Sequence, residues 1–316
     1  MTKSPTVFPA ENFDDEADSQ ALKEAFKGFG TDEDAVIDII ARRSNEQRRK
    51  IASRFKTMYG KDLIKELKSE LRGNFEDVIL ALMTHPVEFQ AKELHKAITG
   101  LGTDEATIVE ILGVHTNEEV VKIANGYEGL YQTSLEADIK GDTSGHLKRL
   151  LVSLSTGNRD ESDQVDQEAA RQDATALLQA GELLFAGTEE SVFNAVLCQR
   201  NRPQLRQIFH EYENITGHSF EKAIENEFSG TLKDSMLQLI HCVRDPIDFL
   251  ATRLHDAMAG IGTDDRTLIR IVVGRSEKDL GEIKEVYEAK YGKSLAERIE
   301  QDTSGDYKKT LLTIVG

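Results

Sequence analysis

The chain has 316 residues, enough for two ordinary domains or for several smaller units that share their cores, and its 39% hydrophobic and 30% charged residues with only five prolines exclude a disordered or collagen-like polymer. Against 39 basic residues stand 56 acidic ones, a formal charge of −17, so unaided binding to nucleic acid or to an anionic lipid surface is unfavourable for the protein as a whole. A polyanionic partner needs a cationic bridge.

The opening MTKSPTVFPAENFDDE lacks the basic start and apolar run of a signal peptide, and the longest apolar stretch, residues 78–83, is far below the roughly 18 residues of a membrane span. After this tail the apolar residues recur at helical spacing. One helix is expected before Gly28, then Val36, Ile39 and Ile40 mark a second, Ile51, Phe55 and Met58 a third, Leu63, Ile64, Leu67 and Leu71 a fourth, and Phe75, Val78, Ile79 and Leu82 a fifth. Thr31 with Asp34, and Ser44 with Gln47, have the three-residue offset of helix amino-terminal caps. No segment alternates with period two, so the chain is expected to be all-α.

The same unit returns along the chain. Gly-x-Gly-Thr stands at residues 28–31, 100–103 and 260–263, with a degenerate copy, Phe185-Ala186-Gly187-Thr188, between the second and third of these. The second glycines, Gly30, Gly102, Gly187 and Gly262, are 72, 85 and 75 residues apart, which gives four units of about 70 residues and one longer junction. That junction is STGNRDESDQVDQ, polar, acidic and without apolar period, and reads as an exposed connector. Cys198 and Cys242 are too few for a disulfide framework and read as two buried thiols in a reduced, cytosolic setting.

Glycine pairs between helices have a bland use: they permit positive φ and a tight turn, and leave Thr to cap the next helix. A second signature is locked to them. Forty residues after each second glycine lies an acid, namely Glu70, Asp142, Glu227 and Asp302, in the surroundings LKSELRG, IKGDTSG, IENEFSG and IEQDTSG. Capping of the following helix by these carboxylates accounts for the Asp-Thr-Ser-Gly form but not for the fixed coupling to a glycine loop. Calcium accounts for both, since it takes six to eight oxygen ligands that loop carbonyls and one arriving carboxylate can supply in part. With a single carboxylate per ion the affinity is expected toward about 10⁻⁴ M, and the vacant positions would go to water or to an anion such as a lipid phosphate. Calcium and membrane would then each raise the affinity for the other. Between the glycines, Phe29, Leu101 and Ile261 are large and apolar. They either fold back on the core or insert at the headgroup boundary, and Lys27 would add a contact to anionic lipid or serve as solvated surface.

On these residues the chain resembles an annexin over residues 14–316. The resemblance lies in the four units, the segment Lys27-Gly28-Phe29-Gly30-Thr31-Asp32, the segments Gly141-Asp142-Thr143-Ser144-Gly145 and Asp302-Thr303-Ser304-Gly305-Asp306-Tyr307, and the long connector. It implies four five-helix repeats packed in a curved disc whose convex face carries calcium loops. The implied divisions are a tail 1–13, repeats 14–84 and 85–155, an acidic linker 156–168, and repeats 169–242 and 243–316. It also implies reversible, calcium-dependent binding to acidic phospholipid by a cytoplasmic protein that becomes peripheral on membranes when calcium rises. Such a protein would be a monomer in solution, would form oligomers at most on calcium or membrane, and would take no nucleic acid. The implied calcium ligands are the carbonyls of Phe26, Gly28 and Gly30 with Glu70; of Ile98, Gly100 and Gly102 with Asp142; and of Met258, Gly260 and Gly262 with Asp302. In the third unit Phe185 replaces the first glycine, and Gly181, Gly187 and Glu227 are the implied set. The family's central polar channel is matched by Glu93, Glu110 and Arg270, whereas Gln90 and His115 stand where the family usually has an acid and an arginine, which counts against a calcium-regulated ion channel and favours a buried polar network.

Two other function classes are weighed. No glycine loop is followed by the Lys-Ser or Lys-Thr of a phosphate-binding loop, and His210-Glu211-Tyr212-Glu213-Asn214 has Asn214 where a zinc protease has its second His, so no enzyme is expected. A helical-repeat scaffold for proteins, with purely structural glycines, remains the other alternative.

Overall fold

The computed structural model describes residues 4–28, 30–100 and 102–316. Among the described residues there are twenty helices and no strand. They come in four sets of five: α1 (Asp15–Ala25), α2 (Glu33–Ile40), α3 (Asn45–Tyr59), α4 (Leu63–Glu70) and α5 (Gly73–Met83); then α6 (Pro86–Thr99), α7 (Glu105–Val114), α8 (Asn117–Tyr131), α9 (Leu135–Asp142) and α10 (Gly145–Ser155). The third set is α11 (Gln167–Ala180), α12 (Glu190–Gln199), α13 (Arg202–Thr216), α14 (Phe220–Glu227) and α15 (Gly230–Arg244), and the fourth is α16 (Pro246–Met258), α17 (Asp265–Arg275), α18 (Leu280–Tyr291), α19 (Leu295–Asp302) and α20 (Gly305–Val315).

Local chemistry sets these boundaries. Asp14 accepts the first free N–H groups of α1, Ser44 and Gln47 form a reciprocal capping box on α3, and Gly60 ends α3 in the left-handed region at φ 67°. The apolar periodicity becomes the core as expected: Val36, Ile40, Ile51, Phe55, Leu67, Val78, Ile79 and Leu82 are buried, while Met58, Ile64 and Phe75 are only half-buried. Each fully buried residue of this kind contributes about 1.5–3 kcal/mol. Short helices of eight residues such as α4 and α19 are stable only through this packing.

The helices gather into two compact units, one of residues Met1–Phe89 with Leu250–Gly316 and one of Gln90–Phe249. In the first, α1 packs on α2 and α3, and α5 packs on α17 and α20. Arg48 anchors it, buried and donating to the Leu82 carbonyl at 2.6 Å and to Glu277 at 3.2 Å; burial lowers its pKa to about 10. The amino-terminal segment is fastened here too, with Ser4 N–H on Lys278 O, Thr6 and Val7 N–H on Ser276 O, and Val7 buried. In the second unit α7 packs on α15, α10 on α12 and α11 on α13. The connector is exposed through residues 160–168, as its composition suggests, yet it is pinned: Asn117 and Arg159 exchange hydrogen bonds, and the Asn201 amide reaches Asp160, Ser162 and the Gln164 carbonyl. Cys198 and Cys242 are buried thiols outside any disulfide, and burial pushes the Cys198 thiol up to about 12.

Candidate metal centres

In each set of five helices a glycine loop joins the first helix to the second, and one backbone hydrogen bond draws it shut. The donors and acceptors are Asp32 N–H to Ala25 O at 2.9 Å, Asp104 to Ala97 at 2.8 Å, Glu189 to Ala180 at 2.7 Å and Asp264 to Ala257 at 2.8 Å. The second glycine of every loop has positive φ, 97° at Gly30, 82° at Gly102, 79° at Gly187 and 86° at Gly262, where a side chain would be strained.

Thr31 does not cap α2. The Asp32 carboxylate takes the Ala35 N–H at 3.0 Å, and Asp104 and Asp264 serve α7 and α17 in the same way, because loop closure brings the aspartate rather than the threonine to the helix mouth. The threonine hydroxyl is thereby left for the distant carboxylate. Thr31 Oγ1 donates to Glu70 Oε2 at 2.9 Å, Thr103 to Asp142 Oδ2 at 2.6 Å and Thr188 to Glu227 Oε2 at 2.8 Å. Sequence reading missed these threonines as site residues, although their constant place after the second glycine was the available signal. The coupling between loop and acid is thus a hydrogen bond across 39 residues.

The acids do not cap the helices that follow them. Arg72, Ser144, Ser229 and Ser304 hold those positions, without side-chain caps. Instead Glu70, Asp142, Glu227 and Asp302 are each the last residue of a helix, where the partial charge of about −0.5 at the helix end makes a carboxylate unfavourable without a cation. Oxygen is the donor type throughout, from peptide carbonyls and a carboxylate, which fits a hard cation such as calcium and not a soft one. Among the described residues no group of three or more His, Cys, Asp or Glu could hold a metal by side chains alone, so an ion at one of these loops would need carbonyls, water or an anion beside the carboxylate. Ile98 and Met258 are buried and can offer only their carbonyls, while Gly28, Gly30, Gly100, Gly102, Gly260 and Gly262 are exposed, and Phe26 is half-buried.

The loops differ. In the third, Gly181 is buried beside the acid: a Cβ placed on it would lie 3.3 Å from Glu227 Cγ and 3.1 Å from Phe193 Cζ, so a larger residue there presses on the acid and on the ring. Gly187 is exposed, and Glu182 in the same loop accepts from Tyr212 Oη at 2.7 Å and pairs with His218 at 3.1 Å. In the fourth, Thr263 Oγ1 donates to the backbone oxygen of Asp302 at 3.3 Å, and the Asp302 carboxylate faces Arg298 Nε at 2.9 Å.

Of the apolar tips, Phe29 and Leu101 lie outside the described residues, whereas Ile261 is fully exposed at 111%. Phe185 at 104% and Leu183 at 66% are equally bare and were not singled out by a reading confined to the residue between the glycines. Lys27 is exposed and pairs with Glu24. The remaining polar candidates are buried: Gln90, Glu93 and Glu110 belong to one unit, with Lys96 on Glu93 at 3.0 Å, and Arg270 belongs to the other and donates to Thr267 Oγ1 at 3.1 Å. His115 Nδ1 is 2.7 Å from the Ile111 carbonyl and therefore carries the proton.

Comparison with known proteins gives a single direction. The family described as Annexin matches residues 17–82, 89–154, 172–239 and 249–314. Human annexin A11 is 52% identical over 311 residues, 98% of this chain, and human annexin A13 is 47% identical over 305 residues, 96% of each chain. The chain spans about three fifths of the length of annexin A11, 61% of it. Among solved structures, annexin III is 44% identical with a TM-score of 0.95, covering 99% of this chain and 97% of that one. The calcium-bound annexin (Sm)1 is 33% identical with a TM-score of 0.84, covering 99% and 93%.

Proposed function

This chain is an annexin, a member of a family known for calcium-dependent phospholipid binding, and we propose that it binds acidic phospholipid membranes reversibly by holding calcium between its glycine loops and lipid phosphate. The observation that carries this reading is the threonine bond that ties each of three carboxylates to its loop. The proposed ligand sets are Phe26, Gly28, Gly30 and Glu70; Ile98, Gly100, Gly102 and Asp142; and Gly181, Gly187 and Glu227, and Met258, Gly260, Gly262 and Asp302 are the corresponding positions of the fourth loop.

When bound, calcium would supply the positive charge that a −17 protein lacks toward a phosphate. The chain's part is to place oxygens. Positive-φ glycines shape the loop, the threonine fixes the carboxylate, and the helix end sharpens its need for a cation. Exposed Ile261, Phe185 and Leu183, together with Phe29 and Leu101, would insert at the headgroup boundary. Several weak sites engaging one membrane would add avidity. We assign the protein as a binding protein rather than an enzyme, cytoplasmic, monomeric in solution and peripheral on membranes when calcium rises. We keep the repeats at 14–84, 85–155, 169–242 and 243–316 with a linker at 156–168.

Sedimentation with phosphatidylserine vesicles tests this. Binding should require calcium and reverse on chelation, and Glu70→Gln, Asp142→Asn and Glu227→Gln combined should abolish it while the helical spectrum stays intact. Undiminished calcium-dependent sedimentation of that triple variant would overturn the site assignment.

A further inference from the structure

In the fourth repeat a side chain already stands where the ion belongs. Arg298 lies one turn before Asp302 on α19, its Nε 2.9 Å from Asp302 Oδ2, and its Nη2 donates to the Met258 carbonyl. These are two of the four oxygen donors expected to hold calcium there. Although both side chains are a quarter or less exposed as a whole, at 25% and 22%, the two facing atoms are sealed from solvent and meet as an ion pair without the alignment of a hydrogen bond. The effect on the loop is visible. Thr263 bonds to the Asp302 backbone oxygen, whereas Thr31, Thr103 and Thr188 bond to their carboxylates.

No other repeat has a cation at this position. One turn before the acid stand Glu66 in α4, Asp138 in α9 and Ala223 in α14. Glu66 is drawn off to Lys61 at 3.1 Å, and Asp138 accepts from Tyr127 Oη at 2.6 Å and Thr133 Oγ1 at 2.9 Å. In those three loops the residue one turn before the acid offers it no cation.

We infer that Arg298 is the built-in cation of the fourth loop, a guanidinium that takes the Met258 carbonyl and the Asp302 carboxylate and closes that loop to calcium. The inference rests on the calcium reading above. A guanidinium is permanently charged, weakly hydrated and rich in donors, so it satisfies a carbonyl and a carboxylate together. Being tethered four residues away, it competes at a high effective concentration, against which an ion of about 10⁻⁴ M affinity is a poor displacer. Calcium would also meet like-charge repulsion from the guanidinium. The fourth repeat is then silent at calcium levels that load the other loops, and the calcium response of the protein belongs to repeats one to three.

Calorimetric calcium titration of the full chain tests this. Arg298→Ala should take up about one more calcium ion per chain than the wild type and, on phosphatidylserine vesicles, lower the calcium midpoint ~twofold or more. Arg298→Lys, which keeps the charge but not the planar fork of donors, should gain less calcium than Arg298→Ala, and Arg298→Ala with Asp302→Asn should lose the gain. Without calcium, Arg298→Ala should melt at a lower temperature than the wild type, because Asp302 and the Met258 carbonyl lose their partner, and calcium should raise its melting temperature by more than that of the wild type. Should Arg298→Ala fold poorly, Arg298→Gln carries the same expectation for calcium uptake. A wild type that binds calcium and a variant that gains none overturn this inference alone; failure of both to bind overturns it together with the proposed function.

Discussion

Thr103 Oγ1 donates to Asp142 Oδ2 at 2.6 Å, the shortest of three equivalent bonds that join a loop threonine to an acid at a helix end. A hydrogen bond at a partly exposed site contributes about 1 kcal/mol net, so Thr103→Val, which keeps the shape and removes the hydroxyl, should raise the calcium needed at this loop about fivefold. Thr103→Ser should leave it nearly unchanged. The comparison is read from calcium titrations in which Glu70 and Glu227 are already neutralised, and an unaltered midpoint in the Val variant would mean that the bond does not place the ligand.

Exposure of the loop tips separates their effect on membranes from any effect on folding. Ile261 and Phe185 bury nothing in the protein, so Ile261→Asp and Phe185→Asp should leave the melting temperature where it is. Each loses about 1.5–3 kcal/mol of apolar burial at the headgroup boundary, which predicts vesicle binding weakened about tenfold or more at fixed calcium. Calcium binding measured without vesicles should not change. Equal vesicle affinity in the two variants and the parent would place these side chains outside the membrane contact.

Gly181 is fixed by its neighbours rather than by its dihedral angles. A methyl group there meets Phe193 at 3.1 Å and Glu227 Cγ at 3.3 Å, so Gly181→Ala must push the acid from the third loop or shift the ring. Overpacking of this kind costs about 1–3 kcal/mol, and calcium uptake by the variant should fall by the contribution of that loop alone. Retained uptake with a lowered melting temperature would assign Gly181 to packing only.

Much of this arrangement was legible in the sequence because it repeats. One glycine loop is a turn, but four loops each followed at the same distance by an acid leave few explanations, and the threonine bond now accounts for the constancy of that distance. The role of Thr31 was not legible. Thr and Asp are both good helix caps, and the choice fell to Asp32 through the backbone bond to Ala25, a contact that composition cannot rank. Arg298 was within reach, since an arginine four residues before an acid on a helix is a readable pair, but its hold on the Met258 carbonyl depends on where the fourth loop runs. The bare third loop was visible as Leu183-Leu184-Phe185 and was passed over because its glycine pattern is broken.

The tyrosines set an alkaline limit to the fold. Of seven in the chain, Tyr127, Tyr212, Tyr287 and Tyr307 are buried and have raised pKa values, in each case first because burial disfavours the phenolate. Carboxylates add to this, Asp138 at Tyr127, Glu182 at Tyr212 and Asp265 at Tyr307, while Tyr287 is pushed up to about 12. A raised folded-state pKa means that the native protein holds its proton more tightly than the unfolded chain. The stability this contributes is therefore complete below the unfolded value of 10.0 and is lost as pH rises through about 12, where ionisation pulls the chain open. Phenolate absorbance against pH should show these four rings ionising only together with loss of helical signal. In Tyr287→Phe, which gives up a 3.4 Å contact to His255, the alkaline transition should move to higher pH. Smooth ionisation of all seven near pH 10 with the helices intact would mean that the four rings are open to water.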